Sequence, residues 1–196
     1  MRLQAYRQVS ALRRNTQPGL KRLGHLALLL PLAVAACGMF ERSAPPVCPR
    51  IGILSDAATL VKFRPGQGRD LTDVEHEAEI LSVDRTCELR DRGAAVDVTV
   101  TIQMAAARGP AAPEQTTIAL PYFVAVVERA TQRIVAREAI AGQVELPPGR
   151  RRAGVGEEII ERIPLSAGRS PADYEILVGL ELSEEQLQYN RRRRGY

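Results

Sequence analysis

One stretch constrains the fold of this chain more than any other. Val96, Val98, Val100, Ile102 and Met104 alternate with Asp97, Thr99, Thr101 and Gln103. Successive side chains of a β-strand point to opposite faces, so strict period two makes a strand with one buried face and one wet face. A helix would scatter the same apolar residues around its circumference. A strand of this kind needs pairing partners and a second layer over its apolar face.

The chain from Cys48 onward supplies them as short apolar runs parted by turn chemistry. Ile51 to Leu54 and Ala58 to Phe63 are brief strand candidates separated by Ser55-Asp56. Pro65-Gly66-Gln67-Gly68-Arg69-Asp70 is a turn-rich loop. Between His76 and Leu89, the residues Leu81, Val83, Cys87 and Leu89 sit on alternate positions, and the lapse at Arg85 predicts a bulge or bend there. Ala105 to Thr117 reads as a long Ala/Pro/Gly surface loop. Pro121 to Val127 is apolar on both faces, as a central strand is. Thr131-Gln132 turns it into Arg133 to Ala141, where Ile134, Ala136 and Ile140 alternate more weakly.

Pro147-Pro148-Gly149 and the arginines that follow break the chain again before two last strands, Gly156 to Ile163 and Tyr174 to Leu182. In the latter Tyr174, Ile176, Val178 and Leu180 share one face. Ser183, with Gln186 three residues on, has the spacing of a capping box for a short helix through about Asn190. Seven or eight short strands without interleaved long helices predict a mainly β fold, an antiparallel sandwich with a short C-terminal helix. Ala172-Asp173-Tyr174, leading into an apolar strand, resembles the tyrosine corner of immunoglobulin-like domains, which implies an immunoglobulin-like sandwich.

The N-terminal region has a different character. Arg2, Arg7, Arg13, Arg14, Lys21 and Arg22 precede an apolar run from Leu26 to Ala36, with no acidic residue among them. A basic segment, a short apolar segment and small residues at a cleavage point make a secretory signal. A membrane-spanning helix needs roughly 20 apolar residues, about twice what this run offers. Since Ala35-Ala36 is followed directly by Cys37, Val34-Ala35-Ala36-Cys37 resembles the lipobox of bacterial lipoproteins. The resemblance implies that residues 1–36 are a removed signal peptide and that Cys37 carries diacylglycerol or a further acyl chain. Two or more acyl chains anchor stably, whereas one binds marginally. Gly38, in place of Asp, points to the outer membrane under the enterobacterial sorting rule. Plain secretion with cleavage elsewhere and a buried core helix are the alternatives.

On that reading residues 37–47 are a tether, 48–190 the sandwich domain and 191–196 a basic C-terminal tail. The leader holds six of the 27 basic residues, which leaves 21 against 23 acidic ones, a net charge of −2. Bulk charge therefore gives no support to nucleic-acid binding. With Cys37 lipidated, Cys48 and Cys87 remain as a pair in an oxidising compartment, where disulfides persist. Zinc ligation would need further ligands close by, and a redox pair usually has Cys-x-x-Cys spacing.

Catalytic machinery is sparse in this sequence, and neither a catalytic residue nor a cofactor is expected. His76 is the only histidine after the leader, within Glu75-His76-Glu77-Ala78-Glu79. In a strand it points away from the three glutamates, which read as a solvated face. Glu157, Glu158 and Glu161 invite a glycosidase reading, but Glu-Glu-Ile-Ile-Glu-Arg-Ile fits alternating edge residues better. Two arginine clusters remain, Arg150-Arg151-Arg152 in a loop and Arg191-Arg192-Arg193-Arg194 at the C-terminus. They are either solvated charges or contacts for an anionic surface such as lipid headgroups.

The chain as a whole resembles small bacterial envelope lipoproteins with a β-rich periplasmic domain. That resemblance implies a non-enzymatic binding or assembly module, tied to the membrane by its lipid and engaging an envelope protein partner. The alternatives are an enzyme acting on an envelope polymer and a structural subunit of a larger envelope complex.

Overall fold

A computed structural model describes residues 47–66, 68–113 and 117–195. The expected signal peptide, Cys37 and nearly all of the expected tether lie outside the described residues. Eight strands form two four-stranded sheets. One sheet has the order β1 (Arg50–Ile53), β8 (Tyr174–Leu180), β5 (Thr117–Glu128), β6 (Arg133–Glu145). The other has the order β2 (Thr59–Phe63), β3 (Val74–Arg90), β4 (Ala95–Arg108), β7 (Arg152–Pro164). All pairings are antiparallel except β1 with β8. One helix, α1 (Glu184–Arg194), closes the described chain.

β4 sits between β3 and β7, and its five alternating apolar residues are buried almost completely. They pack with Tyr122, Val124 and Val126 of β5 and with Ile176, Val178 and Leu180 of β8 in one core between the sheets. β5 is the central strand its two apolar faces predicted, flanked by β8 and β6. Tyr174, Ile176, Val178 and Leu180 all face inward, as their spacing requires.

Three boundaries differ from the expectation. Ala105–Arg108 are not loop: they extend β4, paired with His76 to Glu79 on one side and, through Ala107, with Arg152 to Gly154 on the other. Alanines carry no alternation to read, whereas their backbone groups still need ladder partners once both neighbours are in place. β3 is irregular against β4 between Ile80 and Ser82, and against β2 at Glu75, but not at Arg85. Leu81 is the extra residue and is 52% exposed. The bulge shifts the phase, so that Val74, His76, Ala78 and Ile80 face inward before it and Val83 and Cys87 after it. Arg85 interrupts the apolar row because its Nε–H donates to the Pro49 carbonyl, beside the Cys48–Cys87 disulfide.

The third difference is in α1. Its capping box forms as predicted, with Gln186 N–H donating to Ser183 Oγ (3.2 Å) and Ser183 N–H to Gln186 Oε1 (2.8 Å). The helix then continues past Asn190 to Arg194, so the expected tail is helical as far as that residue. Four arginines at a helix C-terminus complement the negative end of its dipole, and Gly195 closes it with φ +82°.

Candidate functional site

The two long sides of the sandwich are built differently. On one side the edge strands β1 and β2 are bridged by a 3-10 turn, Ser55–Ala57, and α1 lies against it. Asn190, 4% exposed, donates both amide hydrogens there, to the carbonyls of Asp56 (2.9 Å) and Thr59 (2.8 Å). Arg191 and Arg194 add ion pairs to Asp56 at 3.1 and 3.3 Å. The disulfide Cys48–Cys87, with Cα atoms 5.8 Å apart, ties the residues before β1 to β3 of the opposite sheet.

The other side is open. Residues 146–151 carry the chain from β6 in one sheet to β7 in the other, and each strand has one neighbour and one unpaired edge among the described residues. Between them lies a groove of 780 Å³, within the range of about 300–1,000 Å³ typical of ligand pockets. Tyr122, Ile140 and Val144 line it from one sheet, and Val155 and Ile159 from the other. Gly142 holds the β6 wall against β5: a Cβ there would stand 2.6 Å from the Leu120 carbonyl and 3.0 Å from the Tyr122 ring. Ile134 and Ile160, both 58% exposed, stand on these two strands with their side chains uncovered.

Glu138, Glu145, Glu157 and Glu158 also line this groove, and no basic residue does. Glu161 follows Glu157 and Ile159 on the inward row of β7 and is 3% exposed. Burial, reinforced by the charge of Glu138, pushes its carboxyl up to about 7. Ion pairs elsewhere neutralise Glu75, Glu79, Glu128, Glu181 and Glu185, whereas the five glutamates at this side form none among the described residues.

The expectation for Glu157, Glu158 and Glu161 is thus corrected in one respect. β7 is an edge strand, as predicted, but Glu157 and Glu161 point into the sandwich. A legible signal existed in the sequence. Glu138 occupies the same phase as Ala136 and Ile140, and Glu161 the same phase as Ile159 and Ile163. An acid placed in an apolar row marks a buried charge or an opening in the layer above it.

His76 points away from Glu75, Glu77 and Glu79, as strand geometry demands, and is only 5% exposed. Burial, then the charge of Lys62, holds its imidazole below the usual range, against an opposing effect of Glu75. The glutamate row opposite is partly neutralised, Glu75 by Lys62 (3.1 Å) and Glu79 by Arg152. Among the described residues no three acidic, histidine or cysteine side chains converge to hold a metal ion.

The arginine clusters are divided between structural and solvated roles. Arg152 begins β7 and pairs with Glu79, and Arg191 and Arg194 pair with Asp56. Arg193 stacks over the Tyr189 ring at 5.7 Å and shares a shallow depression with Arg152. Arg150 and Arg151 are exposed beside the turn at Gly149. No helix among the described residues is long and apolar enough to cross a membrane. In comparisons with known proteins no family, no curated protein and no solved structure matches this chain.

Proposed function

We propose that this chain is a lipid-anchored, non-enzymatic binding module of a bacterial envelope that holds a segment of a partner protein at the open side of its sandwich. The supporting observation is the pairing of two unpaired edges, β6 and β7, with a groove of mixed apolar and acidic lining between them. Exposed edges are templates for an added strand: main-chain hydrogen bonds give affinity and side-chain pockets give selectivity. Anchorage through Cys37 at the outer membrane rests on the lipobox, and the Cys48–Cys87 disulfide is in keeping with an oxidising compartment. An immunoglobulin-like assignment of the sandwich rests on the Ala172-Asp173-Tyr174 resemblance: Tyr174 is buried where β8 begins, but its hydroxyl makes no hydrogen bond to upstream backbone among the described residues. Arg150, Arg151, Arg192 and Arg193 are the basic residues left to orient the domain on anionic headgroups.

Site-specific photo-cross-linking in intact cells tests the reading. A photoreactive residue at Ile140 or Val155 is expected to give one recurrent adduct, and the same residue at exposed Leu89 is not. Replacing Cys37 by Ser should release the protein from the outer-membrane fraction and abolish the adduct. Absence of any adduct from both groove positions in a protein correctly anchored at the membrane would overturn the binding role.

A further inference from the structure

The groove's chemistry narrows what it accepts. It has apolar walls, carboxylates on both sides and no cation of its own, in a chain whose basic residues are abundant elsewhere. A second copy of this chain is a poor occupant of that side, since a symmetric contact would set glutamate against glutamate. The acids are also strung along two strands, Glu138 and Glu145 on β6 and Glu157 and Glu158 on β7. They do not converge as ligands of a divalent ion must. An extended occupant with charge at intervals fits this spread, because side chains of one face of a strand recur every second residue.

Glu161 is an independent pointer to the same occupant. It is 97% buried on the inward row of β7, two residues beyond the groove-lining Ile159, within electrostatic reach of Glu138 and without an ion-pair partner among the described residues. A buried carboxyl is ordinarily paired, and an unpaired one carries a cost that an arriving cation removes.

We propose that the β6–β7 groove takes an extended, alternating basic-and-apolar peptide segment of a partner protein. The segment hydrogen-bonds to one of the two open edges and directs its cationic side chains to Glu138 and Glu157, within electrostatic reach of Glu161. This rests on the reading of the groove as the binding side and adds the chemical class of its occupant.

The test uses the full-length chain in non-ionic detergent and two heptapeptides with blocked ends. One is Thr-Val-Arg-Val-Arg-Val-Thr, and the other has both arginines replaced by glutamate. Calorimetry at pH 7 is expected to show binding of the arginine peptide alone. Glu138→Gln with Glu157→Gln should weaken it at least tenfold, while Glu77→Gln, on β3 and facing away from the sandwich interior, leaves it unchanged. In buffers of different ionisation enthalpy, binding should release protons, and Glu161→Gln should abolish that release. Hydrogen exchange should slow at amides of β6 or β7.

Equal binding of both peptides, no binding of either, or an undiminished affinity in the double variant would overturn the proposal. Spermine binding as tightly as the arginine peptide would overturn it too, in favour of a small polycation. If the peptide arm fails while cross-links from Ile140 and Val155 persist in cells, the occupant's chemistry is wrong and the binding side stands. If both fail, the binding side falls as well.

Discussion

Glu161 of β7 and Glu138 of β6 are like charges on the inward faces of opposite sheets, close enough for one to hinder ionisation of the other. Both strands are edges, so no further strand covers the gap between them. Stability, pH response and binding are therefore coupled at this one side of the sandwich.

The first prediction concerns alkaline stability. The folded-state value for Glu161, about 7, lies above the ordinary 4.5 of an unfolded chain, so the folded protein holds this proton more tightly. The associated stability is present in full below about pH 4.5 and is lost as pH rises through 7. Glu161→Gln keeps a neutral side chain of the same shape. It should leave stability near pH 4 unchanged and raise it at pH 8 by up to about 3 kcal/mol. Urea midpoints across this range measure the difference, and parallel curves for both proteins would refute it.

His76 acts with the opposite sign. Burial and Lys62 hold its imidazole below the ordinary 6.5 of a free histidine, so the unfolded chain takes up the proton first as pH falls. Stability is complete above about pH 6.5 and declines below it. The rising limb from His76 therefore ends at about pH 6.5, inside the window of about 4.5 to 7 over which Glu161 lowers stability. The two effects oppose each other there, and only the Glu161 loss remains above about pH 6.5. Imidazole proton shifts followed by NMR should show a midpoint below 6.5 in the folded protein. A midpoint at or above that value would refute the assignment.

Reduction of the Cys48–Cys87 bridge should cost about 4 kcal/mol, because a cross-link spanning 39 residues restricts the unfolded chain. Denaturant unfolding of the protein with both cysteines replaced by serine, against the oxidised form, measures it. A difference under about 1 kcal/mol would mean that the residues before β1 remain ordered without the bond.

Asn190 and its arginine neighbours should separate cleanly. Asn190→Ala leaves two carbonyls without their donor and should cost about 1–3 kcal/mol. Replacing Arg191 and Arg194 by serine removes part-exposed ion pairs and should cost less than about 1 kcal/mol. Thermal unfolding ranks the two, and equal losses would show that the arginines hold the helix.

Much of the fold was legible because the relevant signals are local. Period two in β4, the two-sided apolar run of β5 and the single apolar face of β8 follow from strand geometry and burial alone. The capping box at Ser183 is likewise a matter of three-residue spacing. Local patterning fell short at Ala105–Arg108, where ladder neighbours decide the backbone, and at Leu81, where one extra residue changes the phase. It also fell short at the arginines of α1, whose helical state follows from a cap on one side and a docking surface on the other.

The candidate site was only half visible. Glu138 and Glu161 could be seen standing in apolar rows, yet nothing in their neighbourhood along the chain says that the rows face each other. Alternation by itself determined a two-layer β protein with one buried face per strand, since side-chain direction and the hydrophobic effect act residue by residue. Which strands became edges, which side α1 closed and which stayed open depended on strand order. That order is set by pairing between residues far apart in the chain, where backbone hydrogen bonding is indifferent to local sequence and only the packed assembly selects the partner.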